Sequence, residues 1–150
     1  MKFFLIFSLL IIISSAQLIT KTDISRVRNE CIKDLDISEE LSKQFDHSKY
    51  PDDPKTHCFI RCQFSKLNLF DDVNGYNYDL MVKNSQSLDF GNSNDLKKCI
   101  ENRDNHDVDK CKWAYKTYIC ILKSQEEESL IFNYFFMKNF LQKMAKFAIL

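Results

Sequence analysis

Six cysteines and three histidines are the residues of this 150-residue chain best suited to chemistry, and their spacing narrows what that chemistry is. In the stretch HCFIRC, His57 to Cys62, two cysteines stand four apart with Phe59, Ile60 and Arg61 between them. A metal pair, a redox pair and anchors for two separate disulfides are all open at this point. Structural zinc sites favour Cys-x2-Cys knuckles or alternating cysteine and histidine. The gaps here, x3 from Cys58 to Cys62, x11 from Cys99 to Cys111 and x8 from Cys111 to Cys120, fit neither. A thioredoxin-like Cys-x-x-Cys is also absent. His47, His57 and His106 are scattered among polar neighbours and read as surface residues rather than catalysts. Histidine as a residue type changes charge near neutral pH, so the three could act together as a pH sensor, but nothing in the sequence requires it. No Gly-x-Ser-x-Gly, His-Glu-x-x-His, glycine-rich phosphate loop or His-Asp-Cys run occurs, so the chain reads as a non-enzyme with no cofactor and no metal.

The compartment decides between the cysteine readings. The chain begins MKFFLIFSLLIIISSAQ: a basic residue, Lys2, then an apolar run from Phe3 to Ile13 broken by Ser8, then small residues up to Ala16. That is the pattern of a secretory leader, and the run is shorter than the roughly 20 residues that span a bilayer. The expectation is a leader over residues 1–16 and a single exported, extracellular domain over 17–150, with no stable membrane insertion. In an oxidising compartment Cys31, Cys58, Cys62, Cys99, Cys111 and Cys120 read as three disulfides. With 21 basic against 21 acidic residues, nothing draws the molecule to nucleic acid.

The elements that position these cysteines read as helices. Only two glycines and two prolines occur, too few for the turns an all-β fold needs. Ile24, Val27 and Cys31 recur at helical spacing behind Thr22. Ser38 opens a helix whose first turn carries Glu39 and Glu40, where the helix dipole favours acids. Asp53 followed by Pro54 starts a helix to about Leu69, apolar on both faces and therefore central. DDVNGYN, Asp71 to Asn77, is the strongest turn. Helices are expected at Asn77 to Ser85, at Ser93 to Arg103 and from about Asp107 through Cys120. On the central helix Cys58 and Cys62 sit one turn apart and can reach two different neighbours, so they read as two staples. Six cysteines still allow fifteen pairings.

The full pattern, Cys31-x26-Cys58-x3-Cys62-x36-Cys99-x11-Cys111-x8-Cys120, resembles the six-cysteine signature of the insect odorant-binding protein superfamily, the pheromone and general odorant binders (PBP/GOBP). CKWAYKTYIC, Cys111 to Cys120, is similar to that family's penultimate segment, and KLNLFDDVNGYN to its stretch after the third cysteine. The resemblance covers about Thr20 to Leu122. It implies an all-α fold of about six to seven short helices around an apolar cavity. It implies the pairs Cys31–Cys62, Cys58–Cys111 and Cys99–Cys120. It also implies a carrier that reversibly binds a small hydrophobic or amphipathic ligand: an odorant, pheromone, fatty acid or lipid.

Candidate cavity residues are the aromatic and apolar ones on the central and penultimate helices: Phe59, Phe64, Leu67, Phe70, Trp113, Tyr115 and Tyr118. Leu80 and Met81 are as consistent with core as with cavity. Thirty residues follow Cys120, more than the short tail of many family members. Ser124 and Glu127 have the form of a capping box. Beyond them Leu130, Tyr134, Met137, Leu141, Met144 and Ala148 repeat at helical spacing, opposite Lys138, Asn139, Gln142, Lys143 and Lys146. This predicts a basic amphipathic helix at about 124–148. It either closes the cavity, with Tyr134, Met137 and Leu141 as ligand contacts, or packs outside or in a weak homodimer, or binds a membrane or protein partner as an effector. An extra C-terminal helix also resembles the D7-related salivary branch, which sequesters host biogenic amines and eicosanoids. A carboxylate inside the cavity, from Asp109, Glu126 or Glu127, would favour amines, because a buried cation needs a partner.

Overall fold

The computed structural model describes residues 18–88, 90–102 and 106–147, with side chains at all of these except 128 and 139–147. The expected leader lies outside them. Within the described residues the chain forms seven helices and one minimal hairpin: α1 (Lys21–Asp34), α2 (Glu39–Asp46), α3 (Pro54–Lys66), β1 (Phe70–Asp71), β2 (Gly75–Tyr76), α4 (Tyr78–Lys83), α5 (Ser85–Leu88), α6 (Ser93–Glu101) and α7 (Lys110–Phe147).

Most starts follow side-chain capping. Ser38 caps α2 by accepting from the Leu41 amide, and the Asp53 carboxylate accepts from the Lys55 and Thr56 amides ahead of Pro54. The cap of α1 lies two residues before Thr22, at Thr20, because Thr20 and Asp23 form a reciprocal capping box. Helix α7 starts at Lys110 rather than 107, where the Asp109 carboxylate accepts from the Cys111 amide at 2.9 Å. The ends explain how so few glycines suffice. Asp36, Ser48 and Asn68 take the left-handed conformation after α1, α2 and α3, a position usually given to glycine. At Asn68 the chain turns so that the Leu69 amide donates to the Phe64 carbonyl at 2.8 Å, which ends α3 before the expected Leu69.

Helix α3 is central. It packs chiefly against α7 and also against α1, while α6 lies on α7. Its apolar side chains Phe59, Ile60 and Phe64 are buried; Phe59 stacks on Phe45 of α2 with ring centroids 4.3 Å apart. The disulfides are Cys31–Cys62, Cys58–Cys111 and Cys99–Cys120, with Cα separations of 5.9, 4.5 and 5.6 Å, the interlocked set the resemblance implied. Cys58 and Cys62 are therefore two staples leaving one helix, to α7 and to α1 respectively. Lys66 adds an ionic tie from α3 to α1, 3.0 Å from Glu30 and 2.8 Å from Asp34. His57 corrects the expectation of a surface residue. It is buried, its ring 4.3 Å from that of Tyr115 and its Nε2 2.7 Å from the Asp52 carboxylate.

The hairpin fixes the chain between α3 and α4. Asp71 accepts from the Val73 and Asn74 amides, and this hydrogen bonding holds its carboxyl below the ordinary range. Gly75 at φ +77° lies against the Trp113 ring, where a Cβ would stand 2.4 Å from Cζ2. Gly75→Ala combines a left-handed non-glycine residue, about 1–2 kcal/mol, with overpacking, about 1–3 kcal/mol. The expected loss of stability is about 2–5 kcal/mol by denaturant titration; a loss below about 0.5 kcal/mol, the ordinary surface value, would contradict this packing.

Beyond Cys120 the fold departs from the expected separate helix at about 124. Helix α7 continues without interruption to Phe147. No proline or glycine occurs after Gly91, so nothing in the sequence breaks it. Ser124 does not cap: its hydroxyl donates to the Ile121 carbonyl at 2.8 Å, inside the helix. Among the described residues no helix is long and apolar enough to cross a membrane.

Candidate functional site

Helices α1, α3, α5 and α7 line a half-open cavity of about 210 Å³. Helix α3 contributes Gln63, Phe64 and its cap residue Leu67; α7 contributes Tyr118. Helix α1 adds Ile24 and Arg28, one turn apart. Tyr50, Ser87, Leu88 and Phe90 complete the described wall. The aromatic members form one group. Phe64 lies 5.2 Å from Tyr118 and 5.9 Å from Phe90, and Tyr118 lies 5.3 Å from Tyr50, edge to face. Burial pushes the Tyr118 phenol well above its ordinary range, so it stays neutral, a hydrogen-bonding tip on an apolar wall.

Of the ligand contacts read from the sequence, Phe64, Leu67 and Tyr118 line this cavity. Four others pack elsewhere. Phe59 stacks in the core on Phe45, and Phe70 and Trp113 meet edge to face at 5.4 Å beside the hairpin. The Tyr115 hydroxyl donates to the Tyr50 carbonyl at 3.0 Å, holding that loop against α7. Met81 is fully buried core. Tyr134 and Met137 are 71% and 57% exposed on the outer part of α7 and are not brought to the cavity; the side chain of Leu141 lies outside the described ones. The reason is the unbroken helix, which carries residues 130–138 away from the body at about 1.5 Å per residue.

The reading missed Ile24, Arg28, Tyr50, Gln63, Ser87, Leu88 and Phe90. For Arg28 a signal existed: it sits within the buried stripe Ile24, Val27, Cys31, where an apolar residue is expected. Ser87, Leu88 and Phe90 follow a short helix with no periodicity to read. A larger hollow of about 520 Å³ lies along α7 between Tyr115 and Glu127, but it is an open groove flanked by Lys116 and Lys123. The aromatic cavity, the more closed of the two, is the better binding site despite its smaller volume, because it removes more of a ligand from water.

No described residue of the cavity wall lies beyond Tyr118. Ending the chain after Lys123 keeps the three disulfides. Affinity for a small apolar ligand is expected to stay within about threefold of the full chain, under about 0.7 kcal/mol. A loss of tenfold or more in a fluorescence titration would show that the tail completes the site.

A mostly helical domain, interlocked disulfides and a cavity walled by aromatic rings define the class of protein. Its family follows from sequence: residues 15–124 match the PBP/GOBP family, and the chain belongs to it. It is 33% identical over 133 residues to General odorant-binding protein 99a of Drosophila melanogaster, covering 82% of this chain and 90% of that one. It is 31% identical over 131 residues to Odorant-binding protein 22 of Aedes aegypti, covering 83% and 91%. The crystal structure of the Anopheles gambiae Odorant-binding Protein 22a superposes with a TM-score of 0.52 at 26% identity, covering 67% of this chain and 98% of that one. Odorant binding protein 5 of Apis mellifera shares the fold, with a TM-score of 0.50 at 20% identity over 72% and 93% of the two chains.

Proposed function

We propose that this protein is an exported carrier that reversibly binds a small hydrophobic or amphipathic ligand in the cavity between α1, α3, α5 and α7. The observation that carries this reading is the cavity itself: about 210 Å³ behind Phe64, Phe90 and Tyr118, in a shell held by three disulfides. A hollow core forfeits about 24 cal/mol per Å³, and covalent staples offset that loss, so the shell stays folded when empty. The volume is below the about 300–1,000 Å³ of sites for drug-sized ligands. It suits a compact molecule or one segment of a longer chain. The leader-like residues 1–16 and the disulfides support export. The relatives named as odorant-binding proteins support a ligand of the odorant, pheromone or fatty-acid kind. The amine-sequestering alternative is disfavoured, because the wall carries the cation Arg28 and no carboxylate among its described residues.

An environment-sensitive naphthylamine dye tests this. It is expected to bind one to one at micromolar concentration and to be displaced by medium-chain alcohols and acids. Absence of binding at that concentration would end the carrier reading.

One observation favours a second role for the tail. Leu130, Ile131, Phe132, Tyr134, Phe135, Phe136 and Met137 are all 57–71% exposed, an apolar surface around the whole helix. A monomeric soluble protein rarely leaves so large a patch uncovered. An effector or self-association role predicts that Phe132→Glu/Phe136→Glu abolishes vesicle co-sedimentation or lowers the mass seen by light scattering. An unchanged outcome in both measurements would remove this role.

A further inference from the structure

Arg28 is the one formal charge among the described residues of the cavity wall. Its side chain is 20% exposed, and its guanidinium is fixed from one side only. Nη2 donates to the Asp46 carboxylate at 2.5 Å and to the Ser42 carbonyl at 3.3 Å. The guanidinium carbon lies 6.0 Å and 5.8 Å from the ring centroids of Phe45 and Phe59, which support it on the core side. Both hydrogen bonds of Arg28 to described residues leave from Nη2, so Nη1 and Nε have no described hydrogen-bond partner. Its charge also reaches across the cavity, since it favours the ionised form of the Tyr118 phenol against the stronger effect of burial. The Asp46 carboxylate that neutralises Arg28 is itself 59% exposed and solvated, so it screens the cation only in part.

We propose that Arg28 makes this cavity selective for ligands with a carboxylate head group, the guanidinium taking the head and the ring-lined space taking the chain. This rests on the carrier reading above and names its ligand class. A guanidinium pre-positioned by Asp46 and two rings loses little freedom on binding an acid, and Nη1 or Nε can give a single charge-assisted hydrogen bond to a carboxylate oxygen. Gln63 and Tyr50, on the same wall, can donate further hydrogen bonds. A neutral alcohol gains no ion pairing from Arg28 and binds chiefly through the apolar wall and neutral hydrogen bonds. An ammonium meets repulsion from Arg28.

The test compares octanoic acid, 1-octanol and octylamine at neutral pH, by displacement of the naphthylamine dye from the full, oxidised chain. The expected order is acid, alcohol, amine, with the acid binding at least tenfold more tightly than the alcohol. In Arg28→Gln the acid is expected to fall to within about threefold of the alcohol, under about 0.7 kcal/mol, the acid losing far more than the alcohol. Because Arg28 also braces α2, a second variant on the exposed partner guards against misfolding. Asp46→Asn removes the competing carboxylate and is expected to raise acid affinity several-fold while leaving the alcohol unchanged. Equal binding of acid and alcohol by the natural chain would overturn the proposal and leave the carrier reading intact. So would an acid preference that survives Arg28→Gln, or an Asp46→Asn variant that binds acid more weakly. Failure of all three compounds and of the dye to bind would remove the carrier reading, and the head-group assignment with it.

Discussion

Leu67→Trp is expected to abolish ligand binding while leaving the protein folded. Leu67 caps α3 at the cavity wall and is only half-buried, so an indole there turns into empty space instead of displacing packed neighbours. A ligand that buries about 150 Å² of apolar surface gains about 3–4 kcal/mol, and an occluded cavity withholds most of it. Dye affinity should therefore fall by more than about a hundredfold. Filling a void restores part of the about 24 cal/mol per Å³ that the void costs, so the melting temperature should hold or rise. Retained affinity in a folded Leu67→Trp protein would place the ligand elsewhere.

The second large effect concerns the shell. Cys58–Cys111 joins α3 to α7, the two helices that carry Phe64 and Tyr118, and closes the longest of the three loops, 53 residues against 31 and 21. Chain entropy assigns its removal about 4 kcal/mol, against about 3.7 and 3.3 kcal/mol for the others. Cys58→Ala/Cys111→Ala is therefore expected to lower the melting temperature by on the order of 10–20 °C. It should cost more than the equivalent change at Cys99 and Cys120. The two ring walls should also part, so dye binding should weaken along with stability. A loss no larger than that at Cys99/Cys120 would mean that α3 and α7 are held by packing alone.

The helical shell was legible from local chemistry. Ser38 and Asp53 announced the starts of α2 and α3 because a short polar side chain before a helix has one dominant use. The start of α1 was misplaced by two residues, because Thr20 and Thr22 are equivalent as letters and only the reciprocal Asp23 bond separates them. The cavity was half legible. Periodicity on α3 and α7 marked Phe64, Leu67 and Tyr118. The same rule marked Phe59, Trp113 and Tyr115, whose faces turn to the core and to the hairpin instead. Periodicity shows that a face is buried, not whether a protein atom or a void lies against it. The tail is hard to read for a related reason. Its apolar residues fall at helical spacing on one side, yet Ile131, Phe132, Phe135 and Phe136 occupy the other. A helix apolar all round has no unique face to fold back, and Ser124 served the helix interior better than its start.

The central claim, a ligand held between α1, α3, α5 and α7, is tested most directly by amide chemical-shift mapping of the oxidised protein during titration with 1-octanol. Saturable, one-to-one shifts are expected at Arg28, Phe64, Leu67, Leu88 and Tyr118, with Val73 and residues 130–138 unmoved. Shifts confined to the groove along Lys116 and Lys123 or to the outer part of α7, or no saturable shift at all, would contradict it.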